Sequence, residues 1–396
     1  MTDSINKHAF LAILLGVLWV ALAVGTYFTV FAQRGLTTDF YPRWVGAREM
    51  LRGANPYQVE ISMPVPIAGS SQQTVVHPNF RYPATLTYIL LPFWLLTYPQ
   101  AISLWSGLIL LLLFSLPVLA FSILKWSIKP LSLAGIIVLS TFGYRHAMNT
   151  YFLGQFVPFI LGALVIAWWA ISEDHPWPAA LALVGATIRP EGALTVAAIL
   201  LDLLLTRRCK ILAIWTGVIG VLFGLSLLQI GFWVPEFVAG MNTYREIRVW
   251  TYPPGLIGVD ALTPVVVVGA VLWGIVLLWQ MRSLPDRTRL GWSLSVVTIV
   301  YLLILPQSKS YTLLYGLIPL WVAIWANRRH WWNLLFAGGI LLSPWLFLFA
   351  GANLERGIPL EQLFTPVLLG ILITVNWYLW RQQNLDVHVT QAAGTT

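Results

Sequence analysis

Residues 101–124 read AISLWSGLILLLLFSLPVLAFSIL, twenty-four residues without one Asp, Glu, Lys, Arg or His. As an α-helix this run rises roughly 36 Å at ~1.5 Å per residue, enough to cross a ~30 Å hydrocarbon core. Working outward from it, apolar runs recur at 8–31, 130–147, 156–172, 177–190, 192–206, 211–232, 262–281, 290–305, 311–326, 333–350 and 363–380, making twelve. Composition agrees. Of 396 residues 58% are hydrophobic and 10% charged, with a mean hydropathy of +0.77, where soluble chains carry about 25% charged residues. The runs do not alternate apolar with polar residues, which excludes a transmembrane β-barrel. The expectation is an all-α polytopic membrane protein with about 12 transmembrane helices and a helical first extracytoplasmic loop. It forms a single transmembrane domain over 1–381, followed by a polar, disordered cytoplasmic tail at 382–396. The first run is too long for the apolar part of a signal peptide and lacks an A-x-A-like cleavage site, so it reads as a retained span.

Twenty-three basic residues against fifteen acidic ones give a net charge of +8. In a membrane protein the placement of basic residues sets orientation. With twelve crossings, Lys7, Lys125, Lys129, the 207–210 cluster, Arg282, Arg287, Arg289, Arg328, Arg329 and Arg381 share one face, which the positive-inside rule makes cytoplasmic. The expected location is the plasma (inner) membrane, with both termini inside. A second threading is open at Ala84–Thr97 (ATLTYILLPFWLLT), which is apolar but short and contains Pro92. It is an interfacial or re-entrant helix; if it spans instead, 177–206 becomes one broken helix, Lys125 and Lys129 lie outside and Arg145 inside. Two lysines hugging one span end favour the first threading.

Segment 32–83 is the longest non-apolar stretch and lies outside in either threading. Thr37-Thr38-Asp39-Phe40-Tyr41-Pro42 reads as a helix start, with Thr38 or Asp39 as N-cap and Pro42 in the first turn. Gly53 followed by Asn55-Pro56-Tyr57 ends that helix. The loop carries Arg34, Arg43, Arg48, Arg52 and Arg81 against only Asp39, Glu49 and Glu60. Positive charge gathered outside opposes the usual bias, and arginine's forked donors suit phosphate, so the group reads as an anionic-ligand site. Asp39, beside the first span, is either a helix cap or a general base toward a hydroxyl. His77 and Arg81 reach an interfacial site or snorkel.

Further along, Gly143-Tyr144-Arg145-His146 and Asn149 to Gln155 form a polar interruption between two spans. Irregular backbone at membrane depth needs protein or water around it, which argues for a cavity. Ile188-Arg189-Pro190-Glu191-Gly192 breaks another apolar stretch; ionisable residues there are costly and usually functional, unless Arg189 and Glu191 neutralise each other. A second outer loop, 233–261, holds Tyr244, Arg245, Arg248 and Tyr252-Pro253-Pro254-Gly255, and a late outer turn holds Lys309 and Tyr311. The lone Cys209, amid Arg207, Arg208 and Lys210, excludes an intrachain disulfide or thiolate cluster and reads as an inert cytosolic thiol. No Walker A, no GxGxxG after a strand, no HExxH and no metal-ligand spacing occurs. No cofactor, required metal or nucleic-acid partner is expected.

The order of these features resembles the membrane-embedded C-type glycosyltransferase (GT-C) superfamily, most closely the polyprenol-phosphate-mannose-dependent mannosyltransferases of glycosyltransferase family 87. The resemblance spans nearly the whole chain. It rests on Asp39 after span one followed by Ala47…Leu51-Arg52-Gly53-Ala54-Asn55-Pro56-Tyr57, on Tyr82-Pro83…Leu91-Pro92 with Ala101…Leu104-Trp105, on Gly154-Gln155, on Ile188-Arg189-Pro190, and on the turn 306–311. Each motif is short. Lys309 and Tyr311 stand where relatives commonly carry histidine, and Glu191 departs from the family pattern.

The resemblance implies an inverting transferase that moves a hexose, mannose by the nearest relatives, from a polyprenyl-phosphate donor to a lipid or glycan acceptor on the extracytoplasmic face. Asp39 matches the family's catalytic aspartate, and Arg189 and Lys309 are placed to neutralise the leaving phosphate. The wider set expected at donor phosphate or substrate is Arg43, Arg48, His77, Arg81, Arg145, His146, Gln155, Arg189, Tyr244, Arg245, Arg248, Lys309 and Tyr311. The alternative is a transporter or flippase for an anionic phosphate lipid, which predicts paired broken helices in two similar halves.

Overall fold

In a bilayer every backbone N–H and C=O must be satisfied within its own segment, so apolar runs fold as helices. The computed structural model describes residues 2–31, 38–65, 73–78, 80–247, 262–304, 310–349 and 361–393. In chain order these are α1 (Thr2–Thr26, closing in a π-helical turn Tyr27–Phe31), α2 (Tyr41–Leu51), β1 (Glu60–Val65), β2 (Gln73–Pro78), and the short α3 (Leu86–Ile89) and α4 (Leu91–Trp94). Next come α5 (Tyr98–Ile123), α6 (Pro130–Val138, extended by a π-helical turn Leu139–Gly143), α7 (Arg145–Leu153), α8 (Val157–Ser172), α9 (Pro176–Ala186), α10 (Pro190–Leu205), α11 (Cys209–Ile230) and α12 (Val234–Ile247). The last third holds α13 (Thr263–Met281), α14 (Asp286–Ile304), a 3-10 helix (Ser310–Gly316), α15 (Leu317–Ala326), α16 (Trp331–Phe349) and α17 (Glu361–Ala393). Pro42, Pro99, Pro130, Pro158, Pro176, Pro190 and Pro264 each sit in a first helical turn, where the missing N–H costs nothing.

Each expected apolar run falls on helix, yet among the described residues five helices are long and apolar enough to cross a membrane, or six if α7 and α8, bent by 114°, count as one. That falls short of the twelve expected; Pro130–Gly143, Pro176–Ala186, Gly192–Leu205 and Tyr311–Ala326 are shorter apolar helices. Residues 84–97 keep to the first threading and form no single span, breaking at Leu90 into two four-residue helices. Two further expectations are corrected. The first loop is not wholly helical, since β1 and β2 pair antiparallel with Ile61 opposite His77. The tail is not disordered at 382–393, where α17 continues.

The outer wall is apolar. Leu228, Phe349, Leu205 and Leu335 are exposed and little of α11 is buried, while α5 and α14 are more than half buried. In water such a surface is an aggregation liability; lipid is its matching solvent.

The bundle's two ends differ in chemistry. At one, Arg208 pairs with Asp286 and reaches the Ile171 carbonyl at 2.9 Å, Arg287 pairs with Glu173, and Arg289 holds Asp202 and Asp286, each at 2.6 Å. Asp202 is thus the partner of Arg289 rather than of its sequence neighbour Arg207. Trp377 Nε1 donates to Gln280 Oε1 at 2.9 Å, Trp325 packs on Trp380, and Arg328 lies 5.9 Å from the Trp126 ring. These contacts bring 126, 174, 208, 286, 328 and 380 to one end, the grouping of the first threading. Exposed Trp177, Trp279 and Trp331 ring it, as tryptophans do at a membrane–water interface. Cys209 is free and exposed there.

The other end is recessed. α9 leaves the charged end and, with 11 residues, rises roughly 16 Å, and α10 returns over roughly 24 Å, so their shared tip stops short of a ~30 Å core. A Cβ on Gly192 would collide with the Ala186 carbonyl oxygen and meet Ile160 Cγ2 at 2.9 Å, so this hairpin closes only around glycine. At the tip sits Arg189.

Candidate active site

Asp39 lies between two buried residues that fix its backbone. Thr38 Oγ1 accepts from the Phe40 N–H at 3.2 Å and lies 3.1 Å from the Tyr98 hydroxyl, and the Thr38 carbonyl accepts from Tyr41 N–H at 3.0 Å. The Phe40 ring is stacked between Trp94 and Trp105, centroids 5.5 and 5.6 Å away. The helix-cap reading is corrected: the N-cap of α2 is Phe40, with no side-chain cap hydrogen bond. The half-buried Asp39 carboxylate instead accepts from Gln155 Nε2, 116 positions away.

Gln155 is fully buried at the sharp corner between α7 and α8. The corner turns on Gly154, whose φ of +62° is left-handed. Its carbonyl accepts from Trp105 Nε1 at 3.1 Å and Arg43 Nη1 at 3.4 Å. A Cβ there would meet Ile102 Cδ1 at 3.0 Å and Phe40 Cβ at 3.1 Å. Gly154→Ala adds about 1–2 kcal/mol of backbone strain to these contacts. It is expected to lower the thermal unfolding midpoint in detergent; an unchanged midpoint would contradict the geometry.

Arg43, read from sequence as a phosphate ligand, is turned inward and only 7% exposed. Its Nε donates to the Tyr82 hydroxyl at 2.7 Å and its Nη2 to Gln155 Oε1 at 3.0 Å. Its guanidinium lies 4.9 Å from the Tyr82 centroid and 4.8 Å from Phe156, contacts worth about 0.5–2 kcal/mol each. Each nitrogen donates once to protein, three of the five N–H groups, which turns the fork toward Tyr82, Gly154 and Gln155.

A second cluster lies across the first turns of α8. Arg189, 8% exposed, has its guanidinium 5.3 Å from the Tyr311 ring. The residues expected from the 188–192 break and from the late outer turn therefore meet. Tyr144 donates to the Leu313 carbonyl at 2.7 Å and packs edge-on against His146 at 4.9 Å. His146 is fully buried, and neither ring nitrogen has a hydrogen-bond partner among the described residues. The first turns of α8 join the clusters: Gln155 faces Asp39, while Ile160 packs against Gly192, three residues beyond Arg189.

Of the other expected residues, Arg48 is committed elsewhere. Arg48 lies over the Trp44 ring at 4.6 Å, and both donate to the Leu96 carbonyl, at 3.3 and 3.2 Å, stapling α2 to the turn after α4. Arg52 pairs with Glu49 at 2.6 Å on the surface. Arg81 and Arg145 are half-buried, before Tyr82 and at the start of α7. His77 lies on β2, and Tyr244 and Arg245 on α12. Arg34, Arg248 and Lys309 fall outside the described residues.

Sequence reasoning missed Tyr57 and the polar role of Tyr82. Tyr57 donates to the Tyr82 carbonyl at 2.6 Å, and burial raises its hydroxyl pKa. The signal was faint, a Tyr-Pro pair where the chain re-enters apolar sequence. Among the described residues no three His, Cys, Asp or Glu side chains group as a metal site. No protein-family model, curated protein or solved structure matches the chain.

Proposed function

We propose that the protein is an integral membrane glycosyltransferase. It moves a hexose from a polyprenyl-phosphate donor to a lipid or glycan acceptor, inverting the anomeric carbon, at the extracytoplasmic end of the bundle. Asp39 takes the proton of the acceptor hydroxyl. Arg189, steadied by Tyr311, stabilises the phosphate that leaves, a step where preorganised charge contributes most. The observation that carries the reading is an amide-held carboxylate, Asp39 on Gln155 just before α8, together with Arg189, buried beside Tyr311 at the start of α10, which packs through Gly192 on Ile160 of α8. The basic cluster at the other end supports the orientation by the positive-inside rule, and the short α9–α10 hairpin, with Arg189 at its tip, ends before a full-length span would.

That short hairpin also favours a transporter or flippase for a phosphate lipid, and one assay separates the two. Liposomes containing the protein receive radiolabelled polyprenyl-phosphate sugars on one leaflet and a membrane-lipid extract as acceptor. The expected result is label in a new glycolipid or glycan product with free polyprenyl phosphate released. Label that changes leaflet without changing chemical form would replace the transferase reading with the transporter.

A further inference from the structure

The orientation of a buried amide decides what Asp39 can do, and Arg43 sets that orientation. A glutamine side chain presents an oxygen that only accepts and an NH2 that only donates, and their assignment follows from the hydrogen-bond network. Guanidinium is donor-only. With Arg43 Nη2 on one side of Gln155 at 3.0 Å, the atom facing it is Oε1, and Nε2 is left for the Asp39 carboxylate. Rotating the amide by half a turn would set NH2 against guanidinium and oxygen against carboxylate, two repulsive contacts in place of two hydrogen bonds. Arg43 cannot itself rotate away, since Tyr82 takes its Nε, Gly154 takes Nη1, and the Tyr82 and Phe156 rings flank its guanidinium.

We infer that Arg43 is a positioning residue. It locks Gln155 as a donor to Asp39, so a positive charge in the first outer loop serves the carboxylate through one interposed amide instead of binding the donor's phosphate. The inference rests on the transferase reading for its kinetic consequence but not for its geometry. The lock extends outward: Tyr57, stacked on Trp233 at 5.7 Å just before α12, donates to the Tyr82 carbonyl. The second outer loop therefore abuts the same relay.

Arg43→Lys keeps the charge but loses the three-way fork, which separates positioning from phosphate binding. Misplacing a reacting group by about 1 Å costs on the order of 100-fold in rate. Arg43→Lys is accordingly expected to lower kcat by about that factor with the donor KM unchanged, and Tyr82→Phe, which keeps the ring and removes one acceptor, to lower it less in the same direction. A raised donor KM with kcat intact would make Arg43 a phosphate ligand and overturn the inference. A second readout needs no turnover. The infrared carboxylate stretch of Asp39, isolated by subtracting the Asp39→Asn spectrum, is expected to shift in Arg43→Lys and in Tyr82→Phe as the amide donor turns away. An identical band in wild type and both variants overturns the inference whether or not transfer is detected, whereas a shifted band in a protein that transfers no sugar leaves the lock standing and removes the transferase reading.

Discussion

Asp39→Asn is expected to reduce sugar transfer by on the order of 100- to 10,000-fold, the range a positioned general base contributes. The substitution is nearly isosteric. Gln155 Nε2 can still donate to the asparagine oxygen, Phe40 and Thr38 still pin the backbone, and the N-cap of α2 is untouched because Asp39 does not cap it. The fold and donor binding should therefore survive, and the loss should appear in kcat with little change in KM, the pattern of an interaction made in the transition state. Measuring both parameters against thermal unfolding in the same preparation isolates the effect. Undiminished transfer in a folded Asp39→Asn would remove the assigned base.

Arg289→Met carries the largest expected effect on stability. The residue is only 5% exposed and its side chain bonds Asp202 on α10 and Asp286 at the start of α14. Removing one partner of a buried pair leaves an uncompensated charge, which costs about 3–5 kcal/mol, whereas replacing both with apolar or neutral groups is often close to neutral. Arg208 still pairs with Asp286, so the orphan in Arg289→Met is Asp202, itself partly solvated, which sets the expected loss near the lower bound of about 3 kcal/mol. Adding Asp202→Asn to Arg289→Met should recover most of it. Detergent unfolding of the single and double variants checks this; if the double variant is less stable than the single one, the ion pair is not the cause.

The helical runs were legible because apolar length reports directly on a helix that lipid surrounds. Their helical lengths were not: 130–143, 176–186 and 192–205 are as apolar as the longer helices, and only the coordinates show where each helix stops. Asp39, Gln155, Arg189 and Tyr311 stood out because polar or ionisable residues interrupt apolar sequence there. That Asp39 meets Gln155 and Arg189 meets Tyr311 was unreadable without coordinates, since each pair joins residues more than a hundred positions apart. Arg43 was misjudged for a related reason. An outer-loop arginine looks like a ligand contact until its partners are known, and those partners, Tyr82 and Gln155, lie 39 and 112 positions away. The strand pair 60–65 and 73–78 gave no sign, each strand being only six residues long and carrying a proline.

The truncated α9 has a consequence for the surrounding membrane itself. Trp177 and Leu181 face outward on a helix only 11 residues long, so acyl chains beside this flank meet roughly 16 Å of apolar protein where the bilayer offers ~30 Å. Lipid accommodates such a mismatch by thinning, at fractions of a kcal/mol per Å. A bilayer that accommodates α9 in this way would be locally thin at the end of the bundle that holds Arg189, and under the proposed function a donor's phosphate would reach that guanidinium with less of its own hydration to lose.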